Sequence, residues 1–258
     1  MTHISVIGCG NMGGAFIKGL AESTDHTVTA CDVDTTVLET IEPYCDETTT
    51  DLAVAAEADV VVLALKPDLV GGILADLDLS ADQTVLSIAA GVSTSVLKSK
   101  TDATVVRIMP NLAAEYGMMA AAVTESTVTD EIRAILDVVG EFVEVDESKM
   151  DIATAVNGSG PAFVFYLMDA MAKAGVDGGL SPEDARTLSA QTFKGAAETV
   201  LNSERSIEEL IDAVCSPKGT TIEGMEVLWN SDVESEVGEA VAAAEERSKE
   251  LARDADDE

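Results

Sequence analysis

The sequence predicts a doubly wound α/β domain with a parallel sheet, followed by an all-helical domain. Three observations carry that expectation. Short β-branched runs alternate with helical patterns through the first half. A Gly8-Cys9-Gly10-Asn11-Met12-Gly13 turn sits between the first strand and the first helix, and strand signals cease beyond about Lys149. Alternation at this spacing is the pattern of parallel sheets covered by crossover helices.

In order, Ile4–Ile7, Thr27–Cys31, Val60–Leu65, Val85–Ile88 and Thr104–Met109 read as buried strands. Helical patterns over Asn11–Ser23, Thr36–Glu42, Asp51–Glu57, Leu69–Leu77 and Thr94–Lys98 lie among them. A weaker unit follows, with a strand near Met118–Val123, a helix over Asp130–Val139 and a strand over Phe142–Val145. Residues 1–149 are thus expected to form the nucleotide-binding domain and 150–258 the helical one. In the latter, Pro161–Ala174 is apolar nearly all round, which requires burial in a bundle or a subunit interface. Ser181-Pro182-Glu183-Asp184 is a capped helix start leading to about Leu201. Helices over Ser206–Val214, Thr221–Leu228 and Val233–Ala252 complete the set, with Arg253–Glu258 expected to fray.

Composition narrows the function. The 258 residues hold 15 Lys+Arg against 48 Asp+Glu, a formal net charge of -33. Such a chain has no basic stripe to neutralise phosphates, which argues against nucleic-acid binding, and its charge opposes an anionic membrane surface. The acid is not a tail: residues 1–150 carry 25 acids and 7 bases (net -18), residues 151–258 carry 23 and 8 (net -15). An even acidic surface suits a cytoplasm of very high ionic strength, where self-repulsion is screened, although an acidic mesophilic protein has the same formula. Cys9, Cys31, Cys45 and Cys215 show no metal-ligand spacing, and with only His3 and His26 besides, no zinc site is expected. No apolar run reaches a membrane span and the start reads as a strand, not a signal peptide; a soluble, cytoplasmic protein is expected.

The glycine turn has a mechanical meaning in its position after a strand and before a helix. Gly8 makes the tight turn, Gly10 lets the backbone approach a pyrophosphate, and Gly13 lets helix pack on strand. The helix start offers N–H groups and a positive dipole end to phosphates. Asp32, 19 residues after Gly13, ends the second strand where a carboxylate can bond ribose hydroxyls. A 2′-phosphate there would meet Asp32 and Asp34, with no Lys or Arg between Lys18 and Lys66, so NADH is favoured over NADPH; Thr35 and Thr36 hydroxyls leave NADPH open. Ala64-Leu65-Lys66-Pro67 and Ser87-Ile88-Ala89-Ala90-Gly91 close two further strands at the same edge, where ligands of open α/β sheets lie. Read singly, both are also ordinary strand ends.

At the other end, Ser216-Pro217-Lys218-Gly219-Thr220-Thr221-Ile222-Glu223 is a turn into a helix, with Thr220 and Glu223 spaced as a capping box. Its N–H groups suit a small carboxylate, or the run is simply a well-capped helix. Asn157-Gly158-Ser159-Gly160-Pro161 is a second flexible turn, either near a ligand or only capping the apolar helix.

Taken together, IGCGNMG (7–13), ALKP (64–67), SIAAGV (87–92), RIMPN (107–111), NGSGPAF (157–163) and CSPKGTTIEG (215–224) resemble the Δ1-pyrroline-5-carboxylate reductase family over essentially the whole chain. The resemblance implies a Rossmann-like N-terminal domain and a helical C-terminal domain that interlocks into homodimers or larger homo-oligomers. It implies hydride transfer from NADH or NADPH to a cyclic imine carboxylate, giving L-proline. Gly8, Cys9, Gly10, Asn11, Met12 and Gly13 would bind the pyrophosphate and Asp32 the ribose. Ala64, Leu65, Lys66, Pro67, Ala89, Ala90 and Gly91 would flank the nicotinamide. Ser216, Gly219, Thr220 and Thr221 would form the substrate loop, with the Thr221 hydroxyl near the ring nitrogen and Lys66 a cation beside the cofactor. Glu147 falls where a family acid approaches the cofactor, and it is counted with the substrate-binding residues. Two positions depart from the pattern: Lys218 stands where the family usually has glycine, and Asp32 replaces a small polar residue.

A protonated cyclic imine is already an electrophile, so positioning and electrostatics carry most of the catalysis. A 3-hydroxyacid dehydrogenase would need a lysine base at the position of Val164, and the first lysine in that helix is Lys173. A deazaflavin-dependent NADP reductase would want basic residues for its phosphate. A non-catalytic NAD(P)-binding sensor would have no use for both the Ser87–Gly91 edge and the Gly219–Thr221 turn.

Overall fold

The computed structural model describes residues 1–23, 25–125 and 128–256, with side chains as far as Arg253. Eight strands form one sheet in the order β3-β2-β1-β4-β5-β6-β7-β8. They are β1 (Thr2–Ile7), β2 (His26–Cys31), β3 (Glu47–Thr49), β4 (Val60–Leu63), β5 (Thr84–Ser87), β6 (Thr104–Met109), β7 (Met119–Thr124) and β8 (Gly140–Val145). The helices of this unit are α1 (Asn11–Leu20), α2 (Thr35–Ile41), α3 (Leu52–Ala55), α4 (Pro67–Asp76), α5 (Thr94–Lys98), α6 (Asp130–Val139) and α7 (Met150–Ala153). β1 runs parallel to both β2 and β4, so strand order reverses beside it, the position at which ligands of doubly wound sheets collect.

Burial explains the strand order. All four residues of β4 are buried, as a central strand covered on both faces demands. On one face Phe16, Ile17 and Leu20 of α1 pack with Ile132, Ile135 and Leu136 of α6. On the other, Leu74 of α4 and Leu97 of α5 close over Val61, Leu63 and Val85. The edge strand β3 was not expected, because Glu47-Thr48-Thr49 has no apolar residue to signal it.

One pairing departs from the all-parallel expectation: β7 runs antiparallel to β6, then parallel to β8. The Pro110–Met118 connection is shorter than the dozen or so residues a parallel crossover needs. It folds instead as a 3₁₀ turn over Leu112–Tyr116, capped by the Asn111 side chain on the Ala113 N–H and reversed by Gly117 at φ +64°.

The remaining helices are α8 (Gly160–Asp177), α9 (Pro182–Leu201), α10 (Ile207–Val214), α11 (Thr220–Trp229) and α12 (Val233–Asp256). The chain divides into a nucleotide unit, Met1–Ser159 with Val241–Glu258, and a helical unit, Gly160–Ala240. The boundary therefore lies about ten residues beyond the expected one, and the second half of α12 belongs with the sheet. The reason is contact. Met150 and Ala155 are fully buried, and the Asn157 amide donates to the carbonyls of Met109 (2.6 Å) and Ala120 (2.9 Å). Ser248 of α12 is buried and donates to Asp151 Oδ1 at 2.7 Å. The helical unit is different in kind: Phe165, Tyr166 and Met171 of α8, apolar on nearly every side, stand exposed. α12 also continues to Asp256, past the expected end at Ala252; Asp257 and Glu258 of the expected frayed tail lie outside the described residues. Among the described residues no helix is long and apolar enough to cross a membrane.

Candidate functional site

The glycine turn has the geometry its spacing implies. Gly8 takes φ +92°, and a Cβ there would lie 2.5 Å from the Ala64 carbonyl oxygen. Its N–H donates to the Cys31 carbonyl at 2.8 Å, which ties the turn to β2. A Cβ on Gly13 would lie 1.9 Å from the Gly8 oxygen, so α1 reaches the sheet only because residue 13 has no side chain. Gly10 is the opposite case: a Cβ there would have no neighbour within 4 Å. A close turn with an open face at its second glycine is the cradle a pyrophosphate needs, and the residues present fit a dinucleotide. Asn11 starts α1 in the open, Met12 leans on the core, and Cys9 is buried beneath the turn.

Asp32 extends from the end of β2 into this turn. Its Oδ2 accepts from the Cys9 N–H at 2.7 Å and its Oδ1 from the Asp34 N–H at 2.9 Å. Asp34 in turn accepts from the Thr36 N–H at 2.9 Å, capping α2. Burial, reinforced by the Asp32 carboxylate, pushes the Cys9 thiol up to about 12 and the Cys31 thiol up to about 11. Both stay neutral beside the turn and add no charge to it.

Ala64 and Leu65 contact the glycine turn directly, the Ala64 N–H donating to the Ile7 carbonyl at 2.9 Å. Lys66 is the exposed N-cap residue of α4, with Pro67 at its first position. One strand further, Ala89 and Gly91 are buried and Ala90 is half-exposed, so Ala90 is the face this short shelf shows to solvent. Gly91 has φ +79°, and a Cβ on it would meet the backbone nitrogen of Ala252 at 3.0 Å. The structure thus gathers Gly8–Gly13, Asp32, Ala64–Pro67 and Ala89–Gly91 at the carboxyl ends of β1, β2, β4 and β5.

Glu147 is held inward by protein groups. Its Oε1 accepts from the Thr94 N–H at 2.7 Å and from Arg107 Nη1 at 3.2 Å, and its Oε2 accepts from the Thr94 hydroxyl. Partial burial works against its ionised form, but the Thr94 and Arg107 hydrogen bonds outweigh it and hold the carboxyl below the usual carboxylate range. Arg107 and Thr94 were not among the residues expected to matter. The signal for Arg107 was an arginine inside the apolar Thr104–Met109 strand, where a cation needs a partner; nothing in the sequence pointed to Thr94.

In the helical unit, Ser216-Pro217-Lys218-Gly219 turns into α11. The Gly219 N–H donates to the Ser216 carbonyl at 2.9 Å, and a Cβ on Gly219 would lie 2.3 Å from Ser216 Oγ. Lys218 adopts φ +61°, the sole non-glycine with positive φ among the described residues. That is the left-handed region a glycine would occupy without strain. The expected capping box does not form. Gly219, not Thr220, is the N-cap, and no side chain bonds the first turn of α11. Entering through a left-handed residue advances the helix start by one position, so Thr220 and Thr221 lie inside the first turn with their N–H groups uncapped by side chains.

Helix starts separate into two groups. α2, α3, α5, α6, α9 and α10 are capped by Asp34, Asp51, Ser93, Thr129, Ser181 and Ser206. α1, α4, α7 and α11 have no side-chain cap; α7 runs on directly from the 3₁₀ turn at Glu147–Lys149, whereas α1, α4 and α11 begin at Gly10, Lys66 and Gly219, inside runs singled out for ligands. An uncapped start leaves N–H donors for an anion.

The family model described as pyrroline-5-carboxylate reductase dimerisation matches residues 147–251, and that described as NADP oxidoreductase, coenzyme F420-dependent, matches residues 3–91. A pyrroline-5-carboxylate reductase of Methanosarcina acetivorans is 36% identical over 97% of this chain and 98% of its own length. The solved pyrroline-5-carboxylate reductase of Coxiella burnetii superposes with a TM-score of 0.86 at 31% identity, covering 97% of this chain and 98% of that one. A Plasmodium falciparum pyrroline carboxylate reductase with NADP bound gives a TM-score of 0.83 at 28% identity, over 97% and 98% of the two chains.

Proposed function

The chain belongs to the pyrroline-5-carboxylate reductase family, and on that premise we propose how its residues divide the work of reducing the imine. The reaction is that of an NAD(P)H-dependent oxidoreductase of proline biosynthesis, acting on the C=N bond of pyrroline-5-carboxylate to give L-proline. The observation that carries the division is that the starts of α1, α4 and α11, each inside a run singled out for ligands, are left without a side-chain cap. The α1 start and the open face at Gly10 receive the pyrophosphate, and Asp32 faces the ribose. Ala64–Pro67 and Ala89–Gly91 form the walls beside the nicotinamide, and Lys66 supplies a cation at that edge. The α11 start, with Ser216, Gly219, Thr220 and Thr221, holds the substrate carboxylate, and the Thr221 hydroxyl serves the ring nitrogen.

When bound, the coenzyme supplies the hydride. The protein fixes the approach, keeps water from the reacting carbon and balances charge. Lys218 adds a positive charge at the carboxylate loop that a glycine would lack.

NADH is the preferred coenzyme. A 2′-phosphate beyond β2 would face the carboxylates of Asp32 and Asp34, and the first-turn N–H of Thr36 is already engaged by Asp34. The helical unit pairs with a second copy of itself through the exposed face of α8, giving at least a homodimer. The acidic surface is an adaptation to a salt-rich cytoplasm, where the net charge of -33 is screened.

The test is oxidation of NADH and of NADPH with pyrroline-5-carboxylate, in parallel at low and multimolar KCl. Turnover that rises with salt and a higher kcat/KM for NADH are expected. Equal or greater efficiency with NADPH overturns the coenzyme preference. No turnover in a folded, coenzyme-binding sample at any salt overturns the reductase reading.

A further inference from the structure

The Ala89–Gly91 shelf has few residues of its own to hold it. Ala90, its half-exposed member, has only a methyl group, so the height of the shelf is set by what grips it from outside. Its first end follows directly from β5, where the Ile88 N–H donates to the Leu63 carbonyl at 3.1 Å. Its last residue, Gly91, abuts the backbone of Leu251 and Ala252 in α12. Three residues on, the chain enters α5, whose first residue, Thr94, gives both its N–H and its hydroxyl to the Glu147 carboxylate. α5 has a regular cap of its own, since the Ser93 hydroxyl accepts from the Val96 N–H. Ser93 serves only the Val96 N–H, so Glu147 takes a second free N–H of the helix start, that of Thr94, and adds a hydroxyl contact that no helix start requires.

The ties close into a ring. Glu147 opens a 3₁₀ turn running straight into α7, where Asp151 accepts from Ser248 of α12. Shelf, Glu147 segment and α12 thus hold one another pairwise. Arg107 keeps the carboxylate in place from below. It is 5% exposed in the row Ile7, Leu63, Ser87, Arg107, and its Nη1 lies 3.2 Å from Glu147. The Arg107 Nε and the Ser87 hydroxyl beside it are buried without hydrogen-bond partners. A cation placed in a buried layer with no other charge, its Nε unpartnered, is a costly way to fill space. It is accounted for if the carboxylate it steadies has to stay in one position.

We propose that Glu147 is a positioning residue that sets the Ala89–Gly91 shelf against the nicotinamide end of the coenzyme, with Arg107 fixing its carboxylate and Thr94 transmitting its position. This rests on reading that edge as the dinucleotide site. It assigns Glu147 no contact with substrate or coenzyme and no part in proton transfer.

The test compares Glu147→Gln, which keeps an acceptor and loses the ion pair, with Thr94→Val, which removes one hydroxyl and keeps the N–H. The Kd for NADH is titrated directly, and imine turnover and Tm are measured alongside. The expected result is an NADH Kd raised about fivefold to tenfold by Glu147→Gln, and by about two- to threefold by Thr94→Val. The KM for the imine should stay within about twofold in both. An NADH Kd unchanged in both folded variants overturns the proposal, as does an imine KM that rises in parallel with it. A lower Tm alone, with NADH Kd unchanged, reduces Glu147 to a structural tie and likewise overturns it. Failure of the reductase reading is separately visible: the wild-type chain would bind NADH and not turn over the imine, while the NADH titrations still decide the role of Glu147.

Discussion

The two units of this chain solve burial in opposite ways. The nucleotide unit closes its core within itself, with strands buried on both faces under α1, α6, α4 and α5. The helical unit leaves Phe165, Tyr166, Leu188 and Trp229 exposed, and Ala185 and Ser189 are its only buried residues among those described. Exposed apolar area of that extent marks an association surface rather than a finished exterior. One unit therefore closes its core by its own packing, and the other leaves much of its apolar surface uncovered.

The contrast can be broken first from the nucleotide side. Gly13→Ala puts a methyl group 1.9 Å from the Gly8 oxygen, so α1 must leave the sheet. NADH affinity should fall by more than about a hundredfold, roughly 3 kcal/mol or more. Sedimentation should still show the dimer, because the damage stays in one unit. Gly10→Ala, with open space around its Cβ, should keep the native Tm and lose only about tenfold in NADH affinity, the effect of crowding a ligand rather than the fold.

From the helical side, Met171→Glu places a carboxylate on the exposed apolar face of α8. The dimer should dissociate at micromolar concentration, an effect of several kcal/mol for a charge buried without a partner. The NADH Kd should move by less than about threefold. A dimer that survives the substitution would show that α8 is covered in some other way.

Thr221→Ala sharpens the contrast at the substrate loop. The KM for the imine should rise about tenfold with the KM for NADH unchanged, since the lost hydroxyl belongs to the helical unit alone. Equal losses for both would undo the division of labour.

The smallest effect concerns thiols. Cys9 and Cys31 have raised pKa values in the folded protein, about 12 and about 11, so the fold favours their neutral forms. Their contribution to stability is intact below the ordinary thiol pKa of roughly 8.5 and is lost as pH climbs toward 11 and 12. Thermal melts should weaken across that alkaline range. At pH 8, iodoacetamide should spare Cys9 and Cys31 in the native protein and modify the less buried Cys215 first, as peptide mass mapping would report.

Most of the fold is legible because the nucleotide unit writes it locally. A β-branched run such as Val60–Leu63 and a glycine turn at Gly8–Gly13 fix their own conformations, whatever lies around them. What is not legible depends on contacts between distant residues. β3 is a strand because β2 offers an edge, not because Glu47-Thr48-Thr49 has strand character. The Thr220–Glu223 spacing suggests a capping box, yet Lys218 at positive φ moves the helix start to Gly219. Glu147 and Arg107 are 40 residues apart and meet only once the sheet has formed. The second half of α12 has the pattern of any amphipathic helix, and nothing in it announces that it belongs with the sheet.

That last allegiance has a consequence for biosynthesis. The helical unit is one unbroken segment, Gly160–Ala240, interrupting a nucleotide unit that resumes at Val241. Domains emerging from the ribosome ordinarily fold in order, the N-terminal one first. Here the first unit to begin is the last to be completed, because Ser248 and Ala252 are translated after every helix of the insertion. The nascent chain must carry all eight strands without the α12 segment that packs on their unit, while the apolar helix α8 is already outside. Exposure of the apolar α8 surface and completion of the nucleotide unit are thereby brought into the same interval of synthesis, by the order of the chain alone.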